Sequence, residues 1–236
     1  MSYFTADTLK FLRGLARNNK KTWFEAHRDD YELHVKAPLA ELVGEMDVRL
    51  STLAPEMTGD PKRSIFRIHR DVRFSADKSP YKTHASAWFF HMGASSKVGR
   101  EADGGGAGFY FHVQPGASMV AGGCWMPPRP ALQRFRARFA EDTAGWERIV
   151  LAPAFRKRFG ALSEEDMLKR VPRGYEADHP AARWLRYQSF TVGRPLTDAQ
   201  VTSGKLTTTL ADDFARILPL VRWLNSTLGF EPYGER

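Results

Sequence analysis

The chain has one cysteine in 236 residues, Cys124. A lone thiol excludes an intramolecular disulfide and any zinc site built on several cysteines. No apolar run approaches the roughly 20 residues that span a bilayer. Lys10, Arg13, Arg17, Lys20 and Lys21 interrupt any apolar core of the kind a secretory segment needs. The expectation is a protein with no membrane span and a cytoplasmic address. The seven histidines show no H-x-H or H-E-x-x-H spacing, so no metal site is expected. The glycines at 104–106 lack the Walker spacing and the Lys-Ser/Thr that follows it in a phosphate loop. Cys124, in an apolar stretch without an activating neighbour, is expected to be a small buried hydrophobe. No cofactor and no reaction can be read from these residues.

What is present is a folding composition. Hydrophobic residues make up 42% and aromatics 12%, which excludes a disordered chain. The length suits one large domain, 1–236, with no linker that demands a second. The net charge of +8 is unevenly placed. Residues 61–100 carry nine basic and two acidic side chains, and residues 131–160 carry seven and three. The remaining segments are neutral or slightly acidic. Charge focused in this way favours a surface that faces an anion.

Three helices are predicted before residue 60. Thr5 caps the first, with Leu9, Leu12 and Leu15 at helical spacing, and Asn18-Asn19 stop it. Thr22 is the expected cap of the second. The third runs from about Tyr31 to Leu53, with Pro38 as a kink or restart. The period then changes to two. Strands are expected at Ser64–Ile68, His84–Met92, Phe109–Gln114 and Ala117–Met126, the last two joined by a turn at Pro115-Gly116. Gly93–Gly108 reads as a mobile loop, and Gly122-Gly123 as a bulge or a close backbone approach. Beyond Pro127-Pro128 helices return: one opens at Pro130 with Leu132, Phe135 and Phe139 as its apolar side, others are expected at 143–151, 152–159 and 163–169, and Ala181–Leu185 is a helical turn. Leu206–Leu228 closes the chain as one helix or as two broken at Pro219. Tyr187–Val192 is a candidate edge strand, and Trp23, Trp125, Trp184 and Trp223 are candidate core residues. The fold class is α+β: an antiparallel meander at about 64–126, within a sheet region 61–127, flanked by helical regions 1–60 and 128–236.

The densest feature is Arg63–Thr83, R-S-I-F-R-I-H-R-D-V-R-F-S-A-D-K-S-P-Y-K-T. Arg67, Arg70, Arg73, Lys78 and Lys82, with the Ser75 hydroxyl, can cradle a phosphate or carboxylate, because guanidinium forks bind such groups bidentately. Asp71, Asp77 and His112 are the available acid–base groups. His112 lies on the polar face of its strand with Tyr110 and Gln114. Three readings stay open. One is a protein that binds an anionic small molecule through the Arg67–Thr83 loop. Another is a nucleic-acid-binding module using segments 61–100 and 131–160, though no known nucleic-acid motif is visible. The third is a structural or interaction protein in which Asp71 and Asp77 staple the block internally.

The same block carries a family resemblance. Phe66–Thr83 reads F-R-I-H-R-D-V-R-F-S-A-D-K-S-P-Y-K-T. It resembles the marker F-R-I-x-R-D-x-R-F-S-x-D-K-x-P-Y-K-T of a widespread bacterial and fungal family known only as a conserved domain of unknown function. Phe11–Phe24, the hairpin Gly108–Pro127, Tyr175–Leu185 and Pro219–Leu224 also match its pattern. The resemblance implies no activity, cofactor or catalytic residue.

Overall fold

Helix α1 (Ala6–Arg17) starts where Thr5 predicts it. In the computed structural model, which describes residues 2–73, 75–99 and 106–232, the Thr5 hydroxyl accepts the Asp7 N–H and the Thr8 hydroxyl accepts the Thr5 N–H. This reciprocal cap satisfies donors that have no partner within the helix. Helix α2 (Lys21–Ala26) begins two residues too early for Thr22 to cap it, and no side chain does so.

Then come α3 (Arg28–Tyr31), a π-helical turn (Glu32–Lys36) and α4 (Ala37–Leu53). Pro38 accounts for the irregularity. Its ring crowds the carbonyl four residues back, His34, and it has no N–H to offer that carbonyl. The backbone widens so that the Ala37 N–H reaches Glu32. The His34 carbonyl accepts the Thr8 hydroxyl instead, at 2.7 Å.

After β1 (Met57–Thr58) and α5 (Pro61–Ser64) come β2 (Ala85–His91), β3 (Gly108–Val113) and β4 (Ser118–Cys124). Helices α6 (Arg129–Glu141), α7 (Thr143–Val150), α8 (Pro153–Phe159) and α9 (Ala182–Leu185) precede β5 (Phe190–Leu196). Helices α10 (Asp198–Val201) and α11 (Leu206–Thr227) complete the described chain. The protein is α+β, with an antiparallel sheet in the order β1-β2-β3-β4-β5.

The sheet is wider than the predicted meander, with β1 added before it and β5 from within the C-terminal helical region. The strand expected at Ser64–Ile68 shrinks to a short edge contact: Ile65 bridges Ala87, and the Phe66 N–H bonds the Ser86 carbonyl. The helix expected at 163–169 is replaced by turns. Its polar backbone is spent elsewhere, with Ser163 N–H on Thr191, Leu168 N–H on Arg186, and the Asp166 carbonyl taking the Gln188 amide. The middle of the expected mobile loop, residues 100–105, lies outside the described residues.

One face of the sheet packs on α11. Phe214 stacks on Phe109 at 4.4 Å between ring centroids and meets Phe89 edge-on at 5.3 Å. Gly122 faces this helix, and a Cβ there would stand 2.7 Å from Ile217 Cγ2, so the helix can settle only on glycine. Gly123 has φ +122°, and its Cβ would stand 2.0 Å from the Phe190 carbonyl oxygen of β5. Both glycines thus mark close approaches.

Helix α11 passes through Pro219 unbroken. Polar staples fasten it along its length. The fully buried Asp213 receives Arg194 at 2.6 Å and Arg158 at 2.7 Å. Arg222 bonds the buried Glu56 at 2.7 Å, and Asn225 exchanges two hydrogen bonds with the Ala107 backbone. Trp184 is buried as expected, but Trp125 is half exposed at the end of β4. No described helix is long and apolar enough to cross a membrane.

Candidate functional site

The Phe66–Thr83 string folds as a hairpin on the edge of β2. Its rungs are Arg70 N–H to the Pro80 carbonyl, Lys82 N–H to the Ile68 carbonyl and the His69–Tyr81 bridge. The bridges Ile65–Ala87 and His69–Tyr81 are four residues apart on one strand and six on the other. The longer strand therefore bulges between Tyr81 and Ala87, the stretch that holds Lys82 and His84. Asn19 clamps the hairpin to the N-terminal helices. Its amide donates to the Tyr81 carbonyl at 2.8 Å and accepts the Tyr81 N–H at 3.0 Å. The Tyr81 ring stacks on Phe24 at 4.2 Å.

The tip of the hairpin is bound to itself. Arg73 grips Asp71 through two nitrogens, the shorter contact being 2.6 Å. Arg70 pairs with Asp77 and reaches Ser75 at 3.4 Å. Lys78 donates to the Val72 carbonyl at 2.9 Å, and Asp77 accepts the Ser79 N–H. The Arg73 hydrogen bonds hold the Asp71 carboxyl down at about 2, and bonds from Ser79 and Arg70 hold Asp77 lower than the usual range. Both acids are ionised and occupied at neutral pH. Four of the six ligand-binding candidates, Arg70, Arg73, Ser75 and Lys78, thus make hydrogen bonds within the tip.

Arg67 and Lys82, at the base, do not join it. Among the described residues neither has a carboxylate within ion-pair distance. Asp71, whose charge is felt at Arg67, is taken by Arg73. Lys82 is half-buried, with its ammonium 5.2 Å from the centre of the Phe66 ring. Burial first, and the neighbouring Arg67 charge second, push its pKa down. The Phe66 ring's attraction for a cation, worth about 0.5–2 kcal/mol in general, acts the other way.

The base opens onto the sheet face turned away from α11. On that face Ser86, His112 and Met119 form one cross-strand row, and Trp88, Tyr110 and Ala121 the next. Phe66 meets Tyr110 edge-on, with 6.1 Å between ring centroids. The Tyr110 hydroxyl lies 3.1 Å from His112 Nδ1, and His112 Nε2 lies 2.7 Å from the Ala117 carbonyl oxygen. A carbonyl only accepts, so Nε2 carries the proton, and Nδ1 of the neutral ring accepts the phenol. His84 lies 5.1 Å from His112, ring to ring. Burial, helped by His112 and Lys82, drives the His84 pKa down to about 4, and burial lowers that of His112. Both imidazoles are neutral at pH 7. Burial raises the Tyr110 phenol, against a hydrogen bond from Ser86 that pulls the other way.

Lys82, Arg67, His84, Tyr110 and His112 thus form a cluster of bases and cations without an acid in it. Tyr110 and His84 in this cluster, and Ser86 beside it, are not among the site residues expected from sequence. Tyr110 was detectable, because it shares the polar face of β3 with His112. His84 and Ser86 join only through the bulge and the β2–β3 register.

The other basic segment is largely committed within the protein. Arg134 donates to the Leu228 carbonyl, Arg136 to Leu185 and Arg158 to Asp213. The remaining histidines that flank the sheet have structural partners. His91 contacts the Glu231 carbonyl and accepts the Gly93 N–H, and His69 packs on Tyr81. No group of three or more His, Cys, Asp or Glu suited to a metal occurs among the described residues. Cys124 is buried, which pushes its thiol up to about 12 and leaves it unreactive. A concavity of about 390 Å³ lies between α1 and the α2–π-turn segment. Trp23, stacked on His27 at 4.0 Å, lines it beside charges of both signs.

The family model of the conserved hypothetical proteins DUF2461 matches residues 7–223. The chain belongs to this family. The DUF2461 match spans the Asn19 clamp, the whole hairpin, all five strands and α11 as far as Trp223. No curated protein and no solved structure matches the chain. Membership of DUF2461 therefore brings a family and no reaction, and a function has to be argued from the geometry.

Proposed function

We propose that the protein binds a small anionic ligand, bearing a phosphate or carboxylate, at the base of the hairpin where it meets the sheet face turned away from α11. The observation that carries this reading is the contrast between Arg67 and Lys82, without carboxylate partners among the described residues, and Arg70 and Arg73, each paired with an aspartate. A half-buried cation beside a second cation is electrostatically unfavourable until an anion arrives. Arg67 supplies a fork and Lys82 a point charge. The neutral His84 offers a hydrogen bond to the rest of the ligand, and Tyr110, bonded to His112, borders the site. In this reading Arg70, Arg73, Ser75 and Lys78 hold the tip in shape.

Thermal unfolding with inorganic phosphate, pyrophosphate and small dicarboxylates tests the reading. A ligand bound only by the native state, present at 100 times its Kd, adds about 2.7 kcal/mol. Stabilisation should appear in the wild type, disappear in Arg67→Ala and Lys82→Met, and persist in Arg73→Ala. Absence of stabilisation by every anion, or equal stabilisation of Lys82→Met, would reject it.

A further inference from the structure

We infer that Lys82 is an amine nucleophile that forms an imine with the carbonyl carbon of a small oxo acid or oxo phosphate whose charged group rests on Arg67. The inference builds on the anion site proposed above and names its ligand class. Its basis is the company Lys82 keeps. An amine buried on an aromatic ring beside a second cation loses the water and counter-ions that favour its protonation. Lys82 sits in this setting, over Phe66 and next to Arg67, and its pKa is displaced in the corresponding direction. Arginine stays charged throughout, so the anion keeps its anchor when Lys82 gives up its proton.

The cluster also supplies proton handling. Tyr110 packs on the same Phe66 ring as Lys82, and its hydroxyl is bonded to His112 Nδ1. The Lys82 Nζ lone pair attacks the carbonyl carbon, and the C=O π electrons move onto oxygen. The Nζ proton passes to the Tyr110 oxygen while the phenol proton moves to His112 Nδ1, and the same relay runs back to deliver a proton to the alkoxide, giving a neutral carbinolamine. The second Nζ proton follows the same route to the hydroxyl, which departs as water as the C=N bond forms. Amine and carbonyl become imine and water, with no change of oxidation state and no further reactant. The Ala117 carbonyl holds His112 Nε2 as the donor, which keeps Nδ1 turned to Tyr110. His112 is therefore a positioning residue acting through Tyr110.

Reductive trapping tests this directly. Wild-type protein is treated with glyoxylate and cyanoborohydride at pH 7, and the sites of modification are mapped by peptide mass spectrometry over the chain's eleven lysines. Lowering an amine's pKa raises its unprotonated fraction at neutral pH. Lys82 should therefore be modified ahead of every other lysine, and inorganic phosphate should suppress the reaction. Lys82→Arg should lose the modification, Tyr110→Phe should slow it at Lys82, and Arg73→Ala, outside the site, should keep both the modification and the stabilisation by phosphate. Uniform labelling of the lysines alongside intact phosphate stabilisation would overturn the imine and leave the anion site standing. Loss of both would overturn the two together.

Discussion

Asn19 carries both backbone hydrogen-bonding groups of Tyr81, taking its N–H at 3.0 Å and giving to its carbonyl at 2.8 Å. A side chain at the end of a helix thereby stands in for a β-strand, sixty-two positions away in the chain. The hairpin that presents Lys82 is held at its base by this amide and by the Phe24–Tyr81 stack.

Asn19→Ala leaves two groups of a buried residue without partners, at about 1–3 kcal/mol for each. The expected result is a destabilised protein whose Tyr81 and Lys82 amides exchange hydrogen faster than those of β3. Equal exchange in variant and wild type would show that Asn19 is dispensable.

Asp213 is completely buried between two guanidiniums, and Arg194 is much less exposed than Arg158. Breaking such a pair from one side costs about 3–5 kcal/mol, because a charge is left behind in a dry site. Urea denaturation should rank Asp213→Ala as most destabilising, Arg194→Ala next and Arg158→Ala least, since Arg194 still neutralises Asp213 in the last.

Acid should act in two stages. The folded-state pKa of His84 is about 4, below the ordinary histidine value, and that of His112 is lowered too. The unfolded chain then binds more protons than the native one between about pH 6.5 and 4. Stability is complete above that window and falls as pH drops through it. The depressed carboxyls of Asp71 and Asp77 act later, from about pH 4 downward. Melting temperatures recorded from pH 7.5 to 4.5 should decline, and the decline should be shallower in His84→Gln. A flat profile in the wild type would contradict the burial of both rings.

Arg73→Ala should leave the melting temperature close to that of the wild type. Its pair with Asp71 is solvated, with side-chain exposures of 76% and 42%, and exposed ion pairs contribute little. A large loss of stability would mean that the tip is anchored through Arg73 to more than Asp71.

Much of this could be read from residue order, and what could not has a common cause. The Thr5 cap, the alternation of β3 and the turn at Gly116 are local, and each lies within a few residues of its expected place. The meander followed because its strands are consecutive. The π turn, the loss of a helix at 163–169 and the added strand β1 depend on partners far along the chain: Thr8 with His34, Ser163 with Thr191, Met57 with His91. The highly charged string was recognisable as one unit, but its division was hidden. Asp71 and Asp77 each have several cations nearby in sequence. Only the hairpin geometry assigns them to Arg73 and Arg70 and leaves Arg67 and Lys82 at the mouth of the sheet face.

The bond between the Thr8 hydroxyl and the His34 carbonyl makes two distant positions a single heritable unit. Proline at 38 creates an acceptor that its own helix cannot use, and the hydroxyl at 8 is its outside partner. If residue 38 could donate, the hydroxyl at 8 would lose that acceptor. If residue 8 lost its hydroxyl, the proline would become a liability. Across the family the two sites should therefore change in concert, so that sequence variation alone can reveal how α1 lies against the π turn.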